Sequence, residues 1–193
     1  MEATETKVIG KYKISIYPDE DPQNPREWDN LGTMVCFSRR HSLGDKHNFD
    51  FEEAKQFMRS KNIIVLPLYL LDHSGITMNT TGFSCPWDSG QVGWIYIEKS
   101  KVRSEYGWKR ITKDREKKIR EYLRSEVEEY DKYISGDCYG YKITLVDRDD
   151  PDEELEEVDS CWGFFGEECC MKEAESVVQA IIKKEQEMIT ESV

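Results

Sequence analysis

The sequence predicts an α+β fold: one domain with a mostly antiparallel sheet packed by two long amphipathic helices. Three observations carry this. Apolar residues recur at helical spacing over 113–134 and 168–189. Short runs of β-branched and aromatic residues neighbour one another between turn residues. Helices and strands do not follow a regular βαβ order. The 193 residues suit a single domain spanning 1–193, with residues 1–7 flexible and 168–189 as the C-terminal helix.

Val8 to Tyr17 alternates as a strand and stops at Pro18 and the acidic, proline-rich loop that follows. Arg26 to Gly32 reads as a turn, and Thr33 to Phe37 as a short strand. A polar loop spans 38–48. Asp50 then caps a helix over 51–60, with Glu53 three residues on as in a capping box. Ile63 to Leu71 is a continuous apolar run and therefore a buried strand. Strands at 75–80 and 90–97 flank a loop rich in Gly, Trp, Cys and Asp, whose glycines and tryptophans suggest a rigid scaffold. Lys99 to Tyr106 forms a short helix stopped by Gly107. Thr112 caps the helix Lys113–Ile134, whose stripe is Ile119, Tyr122, Leu123, Val127, Tyr130 and Ile134. Strands 139–146 and 155–165 form a hairpin through an acidic turn. The last helix turns Ala174, Val177, Val178, Ile181 and Met188 inward.

The longest apolar run is broken by Pro67 and too short for a bilayer, so no membrane role is expected. The first residues hold no apolar signal segment, which makes the cytoplasm the expected location. The six Cys residues form no CxxC pair and are expected to be free thiols.

The net charge of −12 is unevenly spread. Residues 147–175 hold 13 acids and two bases, whereas 99–124 hold 11 bases and four acids. The acidic block can serve a protein partner with a basic surface, through Asp149, Asp150, Glu153, Glu154 and Glu156. Carboxylates arrayed along a hairpin could imitate a phosphate backbone. The bland reading is an exposed turn that blocks edge-to-edge association. The basic stretch offers a nucleic-acid alternative through Lys109, Arg110, Lys113, Lys117, Arg120 and Arg124. Acids on the same helix explain much of its pattern as i,i+4 pairs.

No cofactor is expected on the residues alone. Gly90-Gln91-Val92-Gly93 is no phosphate-binding loop. A divalent metal is the candidate exception, held by His47, Asp72, His73 and Asp88 in a hydrolase or nuclease, although the spacing fits no established metal motif. The competing reading gives these side chains loop-organising hydrogen bonds. A thiol hydrolase would use Cys85 as nucleophile, His73 as base and Asp88 as orienter.

Several phrases stand out together: Pro25-Arg26-Glu27-Trp28-Asp29-Asn30-Leu31-Gly32, Ser42-Leu43-Gly44-Asp45, Leu70-Leu71-Asp72-His73-Ser74-Gly75, Ser84-Cys85-Pro86-Trp87-Asp88-Ser89-Gly90-Gln91-Val92-Gly93-Trp94 and Asp159-Ser160-Cys161-Trp162-Gly163-Phe164. In these the chain resembles a family of small uncharacterised proteins of bacteriophages and related mobile elements. The resemblance implies a viral or mobile-element origin and supplies no mechanism. It makes a binding protein the leading expectation, in preference to an enzyme: one that engages a host or viral protein and could inhibit a nucleic-acid-acting defence system.

Overall fold

A computed structural model describes residues 2–147, 150 and 153–191. The fold is α+β, with two antiparallel four-stranded sheets where the sequence suggested one. The chain divides into two compact units, residues 24–135 and residues 1–23 with 136–193.

In the first of these units, strands β3 (Thr33–Cys36), β4 (Ile63–Asp72), β5 (Ile76–Asn79) and β6 (Ser89–Glu98) form a sheet in the order β3-β6-β4-β5. Alternate residues of β4 sort the two faces. Ile64, Leu66, Leu68 and Leu70 join Met34, Met78, Ile95 and Ile97 under helix α3 (Lys113–Ser135). Helix α1 (Phe51–Phe57) covers part of the other face, against Val35, Trp94 and Tyr96. It starts on the expected capping box: Asp50 accepts the Glu53 N–H, and the Glu53 carboxylate accepts the Asp50 N–H. Helix α2 (Lys99–Tyr106) ends in the left-handed conformation at Gly107.

The α3 stripe differs from the expected one at two positions. Tyr122 is 49% exposed, and Glu126 is buried instead. Glu126 is paired with Arg26, whose side chain is only 3% exposed. Arg26 forks onto Asp45 at 2.9 and 2.7 Å, reaches Glu126 at 3.2 Å and donates to the Gly32 carbonyl at 2.8 Å. Burial opposes the guanidinium charge, but the bonds to Asp45 and the charge of Glu126 outweigh it and raise the Arg26 pKa. Asp45 also accepts the Met34 N–H, and Glu126 those of Leu31 and Gly32. Two of the phrases noted in the sequence, 25–32 and 42–45, are therefore one buried ionic brace.

The other unit holds β1 (Glu5–Ile9), β2 (Tyr12–Pro18), β7 (Cys138–Val146) and β8 (Glu154–Phe165), in the order β1-β2-β7-β8. Helix α4 (Glu167–Glu191) packs Cys170, Met171, Ala174 and Val178 on Tyr12, Ile14, Ile16, Tyr141 and Ile143. Two expectations change here. The run 8–17 is a hairpin, turned at Gly10 (φ +64°), and residues from Glu5 belong to its first strand. Glycine at the first turn position suits a tight two-residue connection. Met188 is 68% exposed, not inward, whereas Val177 and Ile181 do pack on the core. Among the described residues no helix is long and apolar enough to cross a membrane.

All six cysteines are free. Burial pushes the thiols of Cys36 and Cys170 up to about 12 and that of Cys138 up to about 11. Alkylation of the native protein at pH 8, read by mass spectrometry, is expected to label Cys85, Cys161 and Cys169 and to spare the other three until denaturant is added. Equal labelling of all six would contradict this packing.

Candidate functional site

The acidic hairpin belongs to the second unit, and nearly all described residues over 153–163 are exposed. Strand β8 pairs with β7 on one side and lies at the edge of its sheet. Glu153, Glu154, Glu156 and Glu157 are exposed, as is Asp150; Asp149 lies outside the described residues. The turn is drawn in by the Asp147 N–H on the Glu153 carbonyl and the Glu153 N–H on the Asp150 carbonyl. Two lysines of the sheet partly offset the row: Lys13 reaches Glu154 at 3.1 Å and Lys142 reaches Glu157 at 3.5 Å. Tyr141 donates to Asp159 at 2.8 Å, which ties the strand to the core-facing side of β7.

The β7–β8 ladder shifts register three times, and each shift leaves one extra residue on β8: Leu155, Val158 and Gly163. Leu155 and Val158 are 55% and 40% exposed. Gly163 takes φ +89° next to Trp162, whose ring covers Gly140. Bulges twist an edge away from further strand pairing. A row of carboxylates also repels a second copy of itself. Such an edge is poorly suited to further strand pairing and presents its acids as exposed side chains.

The loop system 72–94 supplies the carboxylates of two carboxylate–imidazole pairs. Asp72 accepts from His41 Nε2 at 3.2 Å and Arg40 Nη1 at 3.3 Å on one oxygen. The His41 bond, with Arg40 adding to it, holds the Asp72 carboxyl below its ordinary pKa. Asp88 faces His73 Nδ1 at 3.1 Å and accepts from the Cys85 thiol at 3.6 Å. The Ser89 hydroxyl bonds the Cys85 carbonyl and closes the loop. Trp87 is 91% exposed, contrary to its expected place in a loop scaffold.

The four metal candidates are thus not brought together. His73 and Asp88 meet, Asp72 is held by His41 and Arg40, and His47 turns away to the Cys36 carbonyl at 3.0 Å. His47 packs edge-on against Phe37, which fixes it as part of the aromatic cluster under α1. Among the described residues no group of three His, Cys, Asp or Glu side chains could hold a metal. The thiol-hydrolase order is also not met, because the Cys85 thiol donates to the carboxylate, whereas a catalytic base must receive the thiol proton.

The basic stretch is partly spent on structure. Arg120 donates to the Val65 carbonyl and to Glu116, and Lys117 pairs with Glu121. Arg115 lies over the Trp108 ring at 4.6 Å, with Trp108 stacked on Tyr106. Lys109, Arg110, Lys113 and Arg124 remain exposed. The candidate set drawn from the sequence omits His41, which lies near Asp45 in the chain but pairs with Asp72; the two are 31 positions apart, and no local spacing reports that contact.

The chain matches no protein-family model, no curated protein and no solved structure.

Proposed function

We propose that the protein is a stoichiometric binding protein whose acidic hairpin engages a partner with a basic surface. The observation that carries this reading is the partition of charge between the two units. Residues 1–23 and 136–193 hold 22 acids and eight bases, or −14, while 24–135 hold 17 acids and 19 bases, or +2. All of the net negative charge therefore belongs to the unit that exposes β8.

The density of that charge favours a partner that otherwise handles nucleic acid. Glu153, Glu154, Glu156, Glu157 and Asp159 place five carboxylates within seven residues. At about 3.3 Å per residue this is one charge per roughly 5 Å, of the same order as the one phosphate per about 3.4 Å along a strand of B-DNA. The motif resemblance to phage and mobile-element proteins supports a host defence protein as that partner. The six free thiols support a reducing, cytoplasmic setting.

Reversal of Asp149, Asp150, Glu153, Glu154 and Glu156 to Lys tests the reading. The wild-type chain, expressed in host cells, is expected to co-purify with a basic partner in a salt-sensitive manner. The reversed variant is expected to lose that partner while keeping its melting temperature within a few degrees. Undiminished capture by the reversed variant would sink the proposal.

A further inference from the structure

The two carboxylates of the loop system are cross-strand neighbours. Leu71 pairs with Ser89 at the last rung between β4 and β6, and one step further the Asp72 N–H donates to the Asp88 carbonyl at 2.8 Å. Directly opposite residues of an antiparallel pair share a face, with Cβ atoms about 4.5–5.5 Å apart. Each carboxylate holds its own imidazole, His41 on Asp72 and His73 on Asp88. The two His–Asp pairs are therefore carried by paired strand ends at one end of the sheet.

A carboxylate only accepts, so it places the ring proton of His41 on Nε2 and that of His73 on Nδ1. The other nitrogen of each ring, Nδ1 of His41 and Nε2 of His73, is left for a ligand. Such a nitrogen takes up a proton when the ring is neutral and gives one when it is charged. Arg40 ends on the same Asp72 oxygen as His41 with its side chain 78% exposed, and a guanidinium fork suits phosphate oxygens. Trp87, beside Asp88 and 91% exposed, offers a face on which an unpaired base can stack.

We propose that this cluster is an acid–base site that cleaves single-stranded RNA by internal transesterification. One imidazole removes the proton of a ribose 2′-hydroxyl as that oxygen bonds to the adjacent phosphorus. The bond from phosphorus to the 5′-oxygen of the next nucleotide breaks, and the other, protonated, imidazole delivers its proton to the departing oxygen. The products are a 2′,3′-cyclic phosphate and a free 5′-hydroxyl, with one ring gaining the proton the other loses. Arg40 would hold the non-bridging phosphate oxygens and Trp87 the flanking base. The activity resides in residues 40–88 and does not depend on the acidic hairpin.

The test uses the full-length protein, a fluorophore-labelled single-stranded RNA of mixed sequence and its all-deoxy counterpart, with EDTA present. Cleavage of the RNA to cyclic-phosphate ends is expected, and the DNA should stay intact. H41A and H73A should each slow cleavage by at least about 100-fold, the lower bound for loss of an acid or base. W87A should raise KM with kcat little changed. His73 has a side chain 68% exposed, so H73A is the variant least able to disturb folding, and its melting curve is compared with the parent's. An inert wild-type protein, cleavage that EDTA abolishes, or H73A preparations as active as wild type would each overturn the proposal.

Discussion

Replacing Arg26 by methionine is expected to destabilise the protein by about 3–5 kcal/mol, the cost of leaving a buried charge without its partner. The loss would be read as a drop in the urea midpoint. The reason is the number of groups that depend on one guanidinium. Asp45 and Glu126 face it from the 38–48 loop and from α3, and Glu126 is 7% exposed. The same carboxylates accept the backbone N–H groups of Leu31, Gly32 and Met34, so the segment that leads into β3 is held through them. Methionine fills much of the volume but leaves both carboxylates unanswered. R26K restores the charge without the fork that matches Asp45 bidentately and should recover only part of the loss. The triple variant R26M/D45N/E126Q removes the uncompensated charges and should be more stable than R26M alone. If R26M unfolds at the wild-type midpoint, the brace does not hold this unit together.

Gly93→Ala is the second large effect, expected at about 3 kcal/mol, the upper end of the overpacking range. Gly93 lies in β6 opposite Cys36 of β3 and Leu68 of β4. A Cβ there would overlap the Val35 carbonyl oxygen and press on the Cys36 Cα, both backbone atoms of the adjoining strand. Neither can rotate aside, so the β3–β6 pairing must open. Gly140→Ala is the control. Its Cβ would strike the Trp162 ring, a side chain 42% exposed that can swing towards solvent. Thermal melts of the two variants should therefore separate, with G93A well below G140A. Equal melting temperatures would show that the close approach of β3 and β6 is not a constraint.

What the sequence disclosed depended on how local the physics is. The Asp50–Glu53 capping box and the Gly107 helix stop are events within one helical turn, and both appear where the spacing placed them. In the sequence Glu126 is indistinguishable from the other acids of a charged helix, yet it is buried. The residue that buries it, Arg26, is 100 positions away, and no periodicity reports such a partner. Tyr122 was assigned to the buried stripe in its place for the same reason. At the candidate site, His73 and Asp88 were named together and do meet, because the strands either side of their loops bring them into register. His47 was grouped with them by residue type alone, and its ring is instead claimed by the Cys36 carbonyl and Phe37. The exposure of Trp87 had no sequence signal, since apolar residues are ordinarily inside. The split of the strands into two sheets was equally hidden, because it depends on which strands pair and not on where they begin.

The most direct test of the binding account is a titration of the isotope-labelled protein with a nine-residue arginine peptide, followed by backbone amide shifts. Salt-sensitive changes concentrated at residues 150–159 are expected, and they should disappear in the charge-reversed variant. Changes centred on residues 24–135, or shifts equally large in the reversed variant, would contradict it.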